Sequence, residues 1–298
     1  MPLGNRLQGL PKRIRDRLLL QEDLNFLLTN RVPRAFLTRA MGRFSRIRNP
    51  VLTRWSIGFW RLFSDLDLSE AREQEFASLQ ECFTRALRPG ARSLDPDRSV
   101  LLSPCDGIVG ACGPMEGTRV FQAKGYPYTV SELFGDATAA EPYRNGVFVT
   151  LRLTSAMYHR FHAPDDATVT RVNYLSGDTW NVNPIALKRV ERLFCRNERA
   201  VVHLRLDSGP SLALVAVAAI LVAGIRLHFL DVRPHLRFPG PREFPCATKV
   251  LRGQEMGWFE HGSTILVFAP EGFRMCAGLR TGDRVRMGQR LLALPEAD

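Results

Sequence analysis

Apolar and polar positions change their spacing near residue 95. Before that point, apolar residues recur three and four apart, as at Phe76, Leu79, Phe83 and Leu87, and residues 1–90 therefore read as helical. Pro33 and Pro50 break this region into pieces and Pro89-Gly90 ends it, so the helical reading includes the stretch from Leu68 to Arg88. Beyond residue 95, short apolar runs alternate with turn signals. Val100-Leu101-Leu102 is followed by Asp106-Gly107 and Ile108-Val109, and then come Val147-Phe148-Val149, Val169 to Val172, Val201 to Leu206 and Ile265 to Phe268. This spacing predicts a mainly antiparallel β core. The fold class expected is α+β: a helical region over 1–90, then a β-rich domain over 91–298.

The longest apolar run, Leu212 to Ile225, has 14 residues. A membrane-spanning helix needs about 20, so the run reads as a buried strand or strand pair. The N-terminus shows no compact apolar region with a small-residue cleavage site, and the chain is expected in the cytoplasm.

The net charge of +11 is unevenly placed. Residues 1–62 hold 13 Lys plus Arg against 3 Asp plus Glu, whereas the remainder is close to neutral. Apolar clusters lie between those charges: Leu18, Leu19, Leu20, Leu24, Phe26 and Leu27, then Val51, Leu52, Trp55, Ile57, Phe59, Trp60, Leu62 and Phe63. Basic residues beside Trp, Phe and Leu suit an in-plane interfacial helix on an anionic phospholipid surface. Packing against the main domain is the second reading and nucleic acid the least favoured. The six cysteines are scattered without a C-x-x-C pair, so reduced thiols and no metal site are expected.

Three segments carry candidate chemistry. Asp106-Gly107 is a turn whose carboxylate serves either its own backbone or catalysis. His159 and His162, in Tyr158-His159-Arg160-Phe161-His162, are candidates for acid–base work, and Pro164 sets them at a strand or loop edge. Ser263, in Glu260-His261-Gly262-Ser263-Thr264, is a candidate nucleophile that Asp106 and His162 could activate. No glycine stands at 265, so the G-x-S-x-G elbow is missing and an α/β-hydrolase is disfavoured. The rival reading of a serine protease or amidase stays open on these residues alone. A lipoyl- or biotinyl-type carrier, suggested by Gly282-Asp283 and Gly288-Gln289, fails because no lysine follows Lys249.

Taken together, these segments resemble the phosphatidylserine decarboxylase proenzymes of the long bacterial type. The resemblance runs through Ser103 to Gly107, Gln122 to Tyr126, Phe148 to Thr150, Tyr158 to Pro164, Leu193 to Arg199, Lys249 to Gly257, and His261 to Thr264. One departure is His261, where the family's commonest form has leucine. The resemblance implies self-cleavage at Gly262–Ser263, with Ser263 attacking the Gly262 carbonyl, His162 taking the proton and Asp106 orienting His162. It implies a β chain 1–262 and an α chain 263–298 bearing a pyruvoyl group made from Ser263. That group would decarboxylate phosphatidylserine to phosphatidylethanolamine through a Schiff base, with His159 contacting the carboxylate or moving a proton. A homodimer on the cytoplasmic face of the inner membrane is also implied. A pyridoxal enzyme would need a Schiff-base lysine, and Lys12, Lys124, Lys188 and Lys249 stand without a phosphate cradle. Action on another amino-acid head group is the remaining alternative.

Overall fold

A computed structural model describes residue 26 and residues 34–122, 126–220, 224–230, 242–260 and 263–295. The first apolar cluster apart from Phe26, together with Lys12, Lys124, His261 and Gly262, lies outside the described residues.

Among the described residues the helical region includes α1 (Arg34–Phe44) and α2 (Pro50–Phe63). Pro50 opens α2 rather than merely breaking the chain: Asn49 caps it by accepting from Leu52 N, and proline loses nothing at the first helical position. The expected helix over 68–88 shrinks to α3 (Leu79–Phe83), with Ser78 as its cap. Two local pairings win over helical spacing there. Arg72 N bonds Ala86 O and Arg88 N bonds Glu70 O, so the chain folds back on itself. Leu68, Ala71 and Cys82 then close a small core with Ile57 and Trp60.

The β region is built on one eight-stranded antiparallel sheet. Its members in chain order, with the smaller strands between them, are β1 (Val100–Leu102), β2 (Gly107–Pro114), β3 (Arg119–Phe121), β4 (Pro127–Thr129) and β5 (Val147–Leu153). Next come β6 (Arg160–His162), β7 (Ala167–Leu175), β8 (Arg199–Leu206), β9 (Ser211–Ala218) and β10 (Ile225–Leu227). The last are β11 (Glu243–Val250), β12 (Glu255–Phe259), β13 (Ser263–Ala269), β14 (Arg274–Met275), β15 (Arg284–Val285) and β16 (Arg290–Ala293). The large sheet runs β11-β7-β8-β9-β13-β5-β2-β15, and a three-stranded sheet runs β10-β12-β6. The long apolar run becomes β9 and β10, as a strand pair would require.

The central strands β9 and β13 are buried on both faces, which is why they read as nearly continuous apolar runs rather than as alternation, and their neighbour β5 is buried at all but Arg152. Residues such as Val215, Ile265 and Leu266 are completely enclosed, each contributing about 1.5–3 kcal/mol. The fold is α+β.

Candidate active site

One end of the large sheet gathers the chemistry. The start of β2, the end of β5, the start of β13 and the end of β9 meet there: Ile108 pairs with Arg152, and Ser263 pairs with both Leu153 and Ala218. Two main-chain bonds draw the Asp106 and His162 segments together, His162 N to Pro104 O at 2.7 Å and Leu102 N to Pro164 O at 3.0 Å. The histidine pair lies at a strand edge, with His162 ending β6 and His159 just before it.

His162 is buried, and its ring has a defined tautomer. Nδ1 donates to the Gly253 carbonyl at 2.8 Å, because a carbonyl can only accept. Nε2 therefore carries the lone pair, and the Tyr158 hydroxyl donates to it at 3.0 Å. Burial pushes the imidazole below its ordinary pKa, outweighing the Gly253 bond and the charges of Glu255 and Asp106, which pull it upward. The ring is thus a neutral base near pH 7.

Asp106 lies near enough to act on His162 through its charge, but its hydrogen bonds go elsewhere. Arg92 grips both carboxylate oxygens, through Nε to Oδ1 at 2.9 Å and through Nη2 to Oδ2, and Met287 N donates to Oδ1 at 2.9 Å. The same guanidinium reaches Glu70 through Nη1 at 2.8 Å. The expected Asp106-to-His162 contact is therefore electrostatic in this state, and the orienting acceptor is a backbone oxygen.

His159 is fully enclosed, its ring 4.0 Å from that of Phe83 by centroids, and Phe83 stacks on Trp60 of α2 at 5.8 Å. Its carbonyl accepts from Phe259 N at 3.0 Å. Ser263 begins β13 with strands paired on both sides, while its chain neighbours Gly262 and His261 are outside the described residues.

Two glycines make this packing possible. Gly253 sits at φ +79°, and a Cβ there would fall 2.6 Å from Leu94 Cδ1. At Gly257 a Cβ would lie 2.0 Å from Arg226 O, inside the ladder between β10 and β12. The same strand β12 pairs with β6, setting Glu255 opposite His162, and Arg160 clasps Glu255 at 2.9 Å. The Tyr158–Pro164 and Lys249–Gly257 motifs are thus adjoining strands of one ladder.

Comparison with known proteins gives the family. Residues 79–293 match the family model described as phosphatidylserine decarboxylase. The chain belongs to the phosphatidylserine decarboxylase family. It is 38% identical over 277 residues to the phosphatidylserine decarboxylase proenzyme of Xanthomonas campestris pv. campestris (strain 8004), covering 89% of this chain and 96% of that one. It is 36% identical over 265 residues to the protein of the same name from Myxococcus xanthus (strain DK1622), covering 87% and 94%. The matched region runs from α3 to β16 and holds Asp106, His159, His162 and Ser263, while α1 and α2 precede it.

Membership in the decarboxylase family explains what individual residues could not. Tyr158, Gly253 and Arg92 were not singled out from the sequence. A main-chain acceptor leaves no side-chain signature, and the chain offers too many arginines for one to stand out. Gln122, from another quoted motif, serves structure: its Nε2 donates to the carbonyls of Leu187 and Val190, and its Oε1 accepts from Leu193 N.

Proposed function

We propose that this decarboxylase cuts itself between Gly262 and Ser263 and thereby makes its own pyruvoyl group. The observation that carries this reading is the placement of Ser263 at the head of a central strand, at the same sheet end as a neutral histidine whose Nε2 holds the lone pair. Ser263 Oγ attacks the Gly262 carbonyl carbon while His162 Nε2 takes its proton, after Tyr158 has released that nitrogen. The peptide bond becomes an ester. Loss of the Ser263 α-proton expels the Gly262 carboxylate, and water converts the remaining dehydroalanine to pyruvoyl and ammonia. The negative charge of Asp106 stabilises the imidazolium formed on the way.

The residues present fit that group. A residue turned into a blocked N-terminus at 263 keeps its strand pairing with β5 and β9. Lys188 and Lys249 are exposed, so no buried amine among the described residues competes as a Schiff-base site. The pyruvoyl group supplies a ketone that draws away the electron pair left when carbon dioxide departs. The substrate is phosphatidylserine and the product phosphatidylethanolamine, with His159 in the role of contacting the substrate carboxylate or moving a proton.

A lipid substrate accords with α2. Val51, Trp55, Phe59 and Leu62 form an exposed apolar stripe, Trp55 being 76% and Phe59 65% exposed, while Ile57 and Trp60 pack inward. Arg48, Arg54 and Arg61 flank the stripe. Such a helix lies in the plane of an anionic lipid surface. Among the described residues no helix is long and apolar enough to cross a membrane.

Denaturing mass spectrometry tests the proposal. Wild type should yield two pieces parting at Gly262–Ser263, the smaller one pyruvoyl-blocked, and Ser263→Ala a single inactive chain. An intact active wild type would refute it.

A further inference from the structure

The two histidines of the site are held by different means. His162 is fixed by hydrogen bonds at both ring nitrogens, with Gly253 and with Tyr158. His159 is packed against a ring. Phe83, the last residue of α3, lies 4.0 Å from it by centroids, with the two planes inclined at 32°. Behind Phe83 stands Trp60 of α2, 5.8 Å away and inclined at only 16°. Phe83 and His159 are both buried, His159 completely.

Two guanidinium groups clamp this stack from either side. Arg160, next to His159, donates to the Thr84 carbonyl through Nε at 3.0 Å and through Nη2 at 2.8 Å. Arg85 returns the link by donating to the Ala156 carbonyl at 2.9 Å. Thr84 and Arg85 follow Phe83 directly, and His159 lies between Ala156 and Arg160. The two segments are therefore tied together where the rings meet, and the His159 carbonyl is fixed in turn by Phe259 N. An imidazole on a fixed main chain still turns about its last side-chain torsion, which is broad and roughly two-fold. A flat aromatic face restricts that turn, whereas an aliphatic side chain of similar size only fills the space.

We propose that Phe83, backed by Trp60, is the positioning residue for His159 in the decarboxylation step. This rests on the decarboxylase reading above, in which His159 contacts the substrate carboxylate or moves a proton. Either task needs a ring nitrogen aimed at one substrate atom, and Phe83 fixes that aim. A group misplaced by about 1 Å costs on the order of 100-fold in rate. Trp60 stands on the inward face of α2, so the helix with the exposed apolar stripe also supports His159 from behind. Self-cleavage uses His162 and lies outside this stack.

The test uses the full chain, whose two reactions can be read separately. Phe83→Leu should split into two pieces at the wild-type rate, yet lose about 10- to 100-fold in kcat on phosphatidylserine in mixed micelles. Phe83→Tyr keeps the ring and should recover most of that loss. Independently of activity, NMR of histidine-labelled, uncut Ser263→Ala should place the His159 ring protons upfield, shielded by the Phe83 face. Ser263→Ala/Phe83→Leu should move them back. Splitting slowed as much as turnover, wild-type turnover by Phe83→Leu, or unmoved His159 resonances overturn the proposal. Should Phe83→Leu not fold, Trp60→Leu decides. Turnover lower by at least about threefold with splitting unchanged then supports the proposal, and unchanged turnover overturns it. A wild type that neither splits nor releases carbon dioxide refutes the functional reading and takes this proposal with it.

Discussion

His162 turns its Nδ1 proton to the carbonyl of Gly253, 2.8 Å away, and thereby presents Nε2 as the basic nitrogen. Tyr158 occupies that nitrogen in the uncut chain. Tyr158→Phe removes a hydrogen bond worth about 1 kcal/mol and frees the lone pair. Self-cleavage should quicken by about fivefold, read from the fraction of intact chain against time. A slower cut would mean that the hydroxyl assists the reaction.

The pH dependence of cutting follows from the same ring. Burial holds His162 below the usual imidazole pKa, so the base form persists into mildly acid solution. The rate of chain splitting should be level through neutral pH and fall only below about 6.5, as mass analysis of timed samples would register.

Arg92 is the cation that holds Asp106 in place. Arg92→Met leaves Asp106 without its partner in a largely enclosed position, a change expected to cost about 3–5 kcal/mol. Thermal melting should show the loss and splitting should slow, with Arg92→Lys recovering part of both.

The exposed stripe on α2 predicts a separation of binding from stability. Trp55→Ser and Phe59→Ser remove largely exposed rings, Phe59 meeting Phe63 one turn on at 4.8 Å between centroids, so melting should move by less than about 1 kcal/mol equivalent. Each change should weaken sedimentation with anionic vesicles by at least about tenfold, since burying such a ring contributes roughly 1.5–3 kcal/mol.

Glu198 also makes stability depend on pH. Burial raises its folded pKa to about 7, above the ordinary 4.5, so the folded chain binds more protons between those values. The share of stability due to Glu198 should therefore decline as pH rises from 4.5 to about 7 and then level off, while His162 and His203, both held below the ordinary imidazole pKa by burial, act in the opposite direction. Denaturant titration should isolate the Glu198 share: Ser263→Ala/Glu198→Gln should gain on Ser263→Ala as pH rises through that window.

The β core was legible because Val, Ile and Leu runs bounded by turns have few other ways to be buried. Ser263, the histidine pair and the Asp-Gly turn were legible as residue types. Their wiring was not. The helix expected over 68–88 failed because fold-back pairing of residues 70–72 with 86–88, together with burial of Leu68 and Ala71, outweighed helical spacing. Gly253 was hidden because its contribution is a carbonyl that any residue possesses, and only its positive φ and the nearness of Leu94 demand glycine.

Strand β13 lies in the middle of the large sheet, with β9 on one side and β5 on the other. On the proposed cut, everything from Ser263 onward becomes a separate molecule wedged into the centre of its partner. Unfolding then releases two chains instead of one, and recovery becomes a second-order encounter that dilution slows and an uncut Ser263→Ala chain escapes. Maturation in this way turns a fold into an assembly, and the protein must finish folding before it breaks its own backbone.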